Sequence, residues 1–172
     1  MNPIPEKLIN FRVYKDGNDL LGVADAELPS LEAMTETVKG AGIAGEVESP
    51  VLGHFGSMGL KLNWRTVTKP TIHLTKPRAH ALDLRGAAQV YDAASGEYKV
   101  SALKVSVRCV PKKTELGKLD VGATSDASNE FEVTYIKVFM DGKTVLEIDK
   151  FNYICVIDGE DFLKDVRKAL GL

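Results

Sequence analysis

The chain has 172 residues, enough for one domain with a proper core. It carries 22 Lys and Arg against 24 Asp and Glu, a formal charge of −2. That balance argues against tight, non-specific nucleic-acid binding, which needs an excess of positive charge, but it leaves room for a protein that lets nucleic acid pass without gripping it.

Residues 1–7, Met-Asn-Pro-Ile-Pro-Glu-Lys, contain no apolar signal-peptide region, and no apolar run is long enough to span a membrane. Leu8–Lys15 places Ile9, Phe11 and Val13 on one face and predicts a half-buried strand. Lys15-Asp16-Gly17-Asn18 is a hairpin turn, from which Leu20–Leu28 returns until Pro29 ends it. Leu31–Val38 reads as a strand, with a short helix as the alternative.

Residues 39–59 hold six glycines and Pro50 without any sustained period. This stretch is too long for an ordinary connection and reads as a functional extension, a glycine-rich loop or hairpin. Leu60–Val67 alternates, with Leu60, Leu62 and Trp64 inward. Lys69–Lys76 is bracketed by Pro70 and Pro77, so a helix there is short. Ala81–Tyr91 alternates again. Tyr98–Val110 is a long strand whose apolar phase changes near Ser101, which predicts a bulge there. Residues 111–129 read as a long polar loop.

Phe131–Met140, Asp141-Gly142 and Thr144–Ile148 form a strand, tight turn and strand. Tyr153–Ile157 is a third short run, followed by Asp158-Gly159. Asp161–Leu170 has helical period, with Phe162, Leu163, Val166, Ala169 and Leu170 on one face and Gly171 as a stop. The expected fold is a single, mainly β domain over 1–172. It is a β-barrel or two orthogonally packed antiparallel sheets with a C-terminal helix and a short helix near 69–76.

No chemistry-bearing constellation survives inspection. Gly40-Ala41-Gly42-Ile43-Ala44-Gly45 matches the dinucleotide fingerprint, but Pro50, Gly53 and Gly56 deny it the helix that would hold a pyrophosphate. Gly142-Lys143-Thr144 lacks the upstream glycine of a phosphate loop, since position 137 is Lys. His54, His73 and His80 lack metal-ligand spacing, and Asp158–Asp161 lacks the alternation of a calcium loop. Cys109 and Cys155 sit in apolar runs and read as buried thiols rather than a disulfide pair. No enzyme, cofactor or metal is expected. The two long excursions point instead to contacts with other chains.

The closing stretch carries a resemblance. Val138-Phe139-Met140-Asp141-Gly142-Lys143 continues through Leu146-Glu147-Ile148-Asp149, Asn152, Val156, Gly159, Asp161, Leu163, Arg167 and Leu170-Gly171-Leu172. Together with the Gly40–Gly45 turn, Asp16-Gly17 and Leu28-Pro29-Ser30-Leu31, it resembles the major tail tube proteins of contractile-tailed bacteriophages and the related tube proteins of R-type bacteriocins. Similar proteins usually carry a longer helix after the Trp64 strand than 69–76 permits.

The resemblance implies a subunit of the virion tail, made in the bacterial host's cytoplasm. It implies hexameric rings of this chain stacking into a tube, with no membrane insertion. Sheath, baseplate and tape-measure proteins would be its partners, and DNA would pass through the lumen. A bacteriocin or other injection-machine tube is the alternative, and a monomeric ligand-binding barrel is the alternative of another class. The resemblance marks Lys39, Gly40, Gly42, Gly45, Glu46, Glu48, Pro50, His54 and Phe55 as ring-stacking or subunit contacts. It marks Asp141, Gly142, Lys143, Glu147, Asp149, Asn152, Leu170, Gly171 and Leu172 as a structural motif. It also suggests an inner wall from Ala81–Tyr91, Tyr98–Val110 and Phe131–Met140, and a lumen without net positive charge releases DNA best.

Overall fold

The computed structural model describes residues 2–172. Its strands are β1 (Pro3–Lys15), β2 (Asn18–Asp19), β3 (Val23–Glu27), β4 (Ala33–Lys39), β5 (Glu46–Phe55) and β6 (Gly59–Trp64), followed by the short helix α1 (Lys69–His73). Then come β7 (His80–Asp92), β8 (Glu97–Glu115), β9 (Ala127–Met140), β10 (Lys143–Asp149), β11 (Ile154–Ile157), β12 (Glu160–Asp161) and α2 (Lys164–Leu170). All the strand pairs are antiparallel, and the fold is mainly β with a C-terminal helix.

β9 is the branch point of the main sheet. One edge pairs with β8 along nearly its whole length. The other edge pairs with β6 over residues 127–132 and with β10 over residues 135–140. The bend between these halves is at Thr134, an extra residue between the register pairs Arg108↔Tyr135 and Cys109↔Val133. A bulge was expected at Ser101, yet β7 and β8 pair there without a shift. The phase changes because the far end of that hairpin leaves the core, so Tyr98 and Val100 are exposed and no single face is favoured.

Folding the sheet at Thr134 encloses one core. Leu60, Leu62 and Trp64 from β6 meet Leu82 and Leu84 from β7, Val105, Val107 and Cys109 from β8, and Phe131 and Val133 from β9. Trp64 donates its indole N–H to Asn129 Oδ1 at 2.8 Å, which satisfies the buried polar tip of each residue. α1 caps one end of this core with Thr71 and the following Leu74. Its N-terminus is closed by a Thr68–Thr71 capping box.

Three expected boundaries move. The Leu20–Leu28 return breaks at Leu21-Gly22: β2 makes only two pairs with β1, and β3 crosses to pair with β6. The loop expected at 111–129 shrinks to 116–126, because its polar ends are paired strand, Thr114 with Asn129 and Glu115 with Ser128. The helix expected from Asp161 begins at Lys164, and β12 takes up Asp161. Of its expected apolar face, Leu163 is buried and Val166 half-buried, while Phe162 and Leu170 stay exposed.

Candidate functional site

The expected 39–59 excursion supplies the tip and returning strand of an arm that begins at Ala33, in the strand expected at Leu31–Val38, and ends at Phe55. β4 and β5 form their own two-stranded sheet, and every residue of β4 is exposed. With water on both faces, no apolar period is required, which is why the sequence shows none. Lys39 and Glu46 form the last pair before the tip, with Lys39 Nζ 3.9 Å from Glu46. Gly40, Gly42 and Gly45 turn the tip with φ of 127°, 87° and 114°. Thr35 Oγ1 donates to Glu48 at 2.8 Å, and Pro50 lies opposite Thr35. Met34, Val38, Ile43, Val47, Val51 and Leu52 are exposed apolar residues on this arm.

The base of the arm is tied to the C-terminal stretch, so the structure brings the two sequence-predicted groups together there. Gly53 has φ +64°, and a Cβ on it would lie 2.6 Å from Leu163 Cδ2. His54, Phe55, Ile148, Asp149, Lys150 and Tyr153 line the junction with them. Lys150 Nζ donates to Gly56 O at 2.7 Å, and Gly56 N–H donates to Glu32 O at 2.8 Å. Glu132 accepts from Ser57 Oγ at 2.6 Å and from Met58 N–H at 3.3 Å. These bonds, with Lys112 at 3.5 Å, hold its carboxyl below the usual range despite partial burial. Gly53, Lys150 and Leu163 carry this junction, and sequence reasoning missed Gly53 and Lys150 because the contact is long-range.

The C-terminal motif builds turns. Asp141 and Gly142 both have positive φ, 49° and 79°. The Asp141 carboxylate accepts from Ala102 N–H at 2.9 Å and from Ser101 Oγ, which ties this turn onto β8. Lys143 opens β10 opposite Met140, and Glu147 pairs with Lys137 at 3.4 Å. Asp149 accepts from the Phe151 and Asn152 N–H groups and from Asn152 Nδ2, closing the turn before β11. Arg167 is ion-paired with Asp161 and donates to Tyr153 O at 2.7 Å. Gly171 ends α2 with φ 76°; Leu170 and Leu172 flank it, exposed.

Two outward faces differ in charge. On β1, β7, β8 and β9, Arg12, Arg85, Lys104 and Phe139 share one register row. Lys104 and Lys137 lie 5.1 and 5.2 Å from the Phe139 ring centre, and Arg108 lies 5.8 Å from that of Tyr135. On β3, β6, β8 and the first half of β9 the row is Glu27, Lys61, Lys113 and Glu130, with Asp25 and Glu115 beside it.

Among the described residues, no group of three His, Cys, Asp or Glu could hold a metal ion. Both cysteines are free and buried, and burial pushes the Cys109 thiol up to about 12. Among the described residues, no helix is long and apolar enough to cross a membrane.

An arm with no core of its own, on a sheet with unpaired edges, is the anatomy of an assembling subunit. The family model for phage tail tube protein FII matches residues 5–171. This chain belongs to that family. It is a phage tail tube protein, a structural component of the tail and not an enzyme. It is 29% identical to the tail tube protein of Escherichia phage P2 over 174 residues, covering 98% of this chain and 99% of the relative. It is 27% identical to the major tail tube protein of Serratia phage KSP20, covering 98% of each. Its fold matches the sheath/tube terminator of the extracellular contractile injection system PVC in the extended state. That match has a TM-score of 0.55 at 11% identity, over 79% of this chain and 97% of the other.

Proposed function

We propose that the tail tube protein closes into hexameric rings that stack into the inner tube of a phage tail, and that the lumen conducts DNA during ejection. The observation that carries this reading is the β4–β5 arm, whose exposed apolar side chains and glycine tip find no partner within the described chain. Lys39, Gly40, Gly42, Gly45, Glu46, Glu48 and Pro50 reach the next ring; His54 and Phe55 hold the base of the arm to the body. Neighbouring copies meet at the open edge of the main sheet, since β2 covers β1 only at Tyr14 and Lys15. Obligate contacts of this kind bury on the order of 2,000 Å² or more.

The β3–β6 face turns to the lumen, where Lys61 and Lys113 are answered by Glu130 and Glu115 and Glu27 adds a further negative charge, so no net positive charge holds phosphate. The basic face turns outward, to the sheath. Baseplate and tape-measure proteins meet the tube at its end and in its lumen, and the chain is made in the host cytoplasm before assembly. Full-length similarity to two phage proteins favours a phage tail over a bacteriocin tube.

The test uses the variants Gly42→Val and Val47→Lys. Both are expected to abolish tubes in negative-stain electron microscopy while circular dichroism and urea midpoints show a folded subunit. Normal tubes from both variants would remove the arm from ring stacking.

A further inference from the structure

The seam between β1 and β3 is open. Leu8 and Phe11 of β1, Ala26 of β3, Leu28 just beyond it, and Leu84 and Leu103 behind them line an apolar groove of about 200 Å³. Asp25 and Arg85 stand at its rim. Both flanking strand edges are unpaired here.

The same chain carries a segment of matching chemistry. Leu119 and Val121, in the 116–126 loop, are 99% and 103% exposed. The loop is nonetheless built. A Cβ on Gly117 would lie 1.9 Å from Ser125 O. Lys118 N–H donates to that oxygen at 2.9 Å, Ala123 N–H to Asp120 O at 3.1 Å, and Ser125 N–H to Arg65 O at 2.7 Å. An ordered loop that holds two apolar side chains in water has a binding surface. Leu119 sits between Lys118 and Asp120, the complement of Asp25 and Arg85.

We infer that the 116–126 loop of one copy seats Leu119 and Val121 in the β1–β3 groove of a second copy, with Lys118 toward Asp25 and Asp120 toward Arg85. Two different patches meet, so the contact is heterologous, the type that closes rings. It rests on the tube reading and adds a contact that the stacking arm does not make.

The test mixes two singly substituted proteins, Leu28→Cys and Leu119→Cys, before assembly and oxidises them with copper phenanthroline. Part of the sample is imaged by electron microscopy. The native thiols are buried and stay silent. The expected result is tubes, with a disulfide-linked dimer in the mixture and none from either protein alone. Tubes without that dimer, and with Leu119→Cys labelled by maleimide as fast as in the free subunit, would overturn the contact and spare the tube reading. Neither particles nor dimer, from this mixture and from the unsubstituted protein alike, would overturn both. As a second readout, Lys118→Glu lowers tube yield and Asp25→Lys in the same chain restores it. No effect of Lys118→Glu would overturn the contact.

Discussion

At the scale of single residues, the core rests on a few polar atoms that must be answered inside it. Asn129 is fully buried, accepts from Trp64 Nε1, and donates to Thr71 O at 3.3 Å and Thr114 Oγ1 at 3.0 Å. Trp64→Phe leaves the Asn129 oxygen unpaired and removes ring area, so urea denaturation is expected to show a loss of about 1–3 kcal/mol. His80 is 1% exposed; Nε2 donates to Lys76 O at 3.0 Å, and Nδ1 has no partner. Burial, and then the positive charges of Lys15, His73 and Arg78, lower its pKa from 6.5, with only the Lys76 carbonyl opposing. The sign follows from linkage: below about 6.5 the unfolded chain binds a proton that the folded chain refuses. Stability is expected to be full above that value and to fall as pH drops below it. His80→Gln flattens that part of the melting-temperature profile; an unchanged slope would assign it elsewhere. Asp92 acts at lower pH. Hydrogen bonds from the Ala94 and Asn2 N–H groups, and then Lys99, hold its carboxyl at about 2, so its contribution disappears only as pH falls from the ordinary carboxylate range toward that value.

At the scale of elements, the junction between the arm and the C-terminus is the most sensitive contact. Gly53→Val forces a β-branched side chain into positive φ and against Leu163, with an expected cost of about 1–3 kcal/mol in urea unfolding. Ending the chain before Phe162 removes Leu163, the one buried apolar side chain of the last eleven residues, and exposes the surface it covers. A loss of about 1.5–3 kcal/mol is expected for that burial alone, and an unchanged melting temperature would contradict the docking. Elements with one wet and one dry face were legible in the sequence. Leu60, Leu62 and Trp64 alternate because β6 lies on the core, and Asp141-Gly142 names its own turn. Elements without that contrast were not. β5 lacks a dry face and was read only as part of a glycine-rich loop or hairpin, and the ends of β8 and β9 are polar where they pair. Around α2 the helical spacing of Phe162 and Leu170 is real, but the described chain covers them only in part. The Thr134 bend falls inside Phe131–Met140, which reads as one strand. The sequence shows where the alternation slips, but not which partner strand stays in register.

At the scale of the whole molecule, the fold is a core with attachments: an arm, an open seam, an exposed loop and two faces of unlike charge. The family was legible because its closing motif builds turns, whose geometry demands particular residues at Asp141, Gly142, Asp149 and Gly171. The surfaces proposed for assembly show in the sequence only as excursions, since a side chain that meets another copy leaves no periodic trace in its own chain. The charge of the outward faces was hidden for a related reason: Arg12, Arg85 and Lys104 are neighbours only through register. The central claim is that these surfaces close six copies into a ring and stack ring on ring. Cryo-electron microscopy of the assembled, unsubstituted chain tests it most directly. The account predicts six-fold rings with the β4–β5 arm buried against the next ring and Glu27 and Glu130 facing the lumen. A sample that stays monomeric at every concentration, a ring of another symmetry, or an arm left in solvent would contradict it.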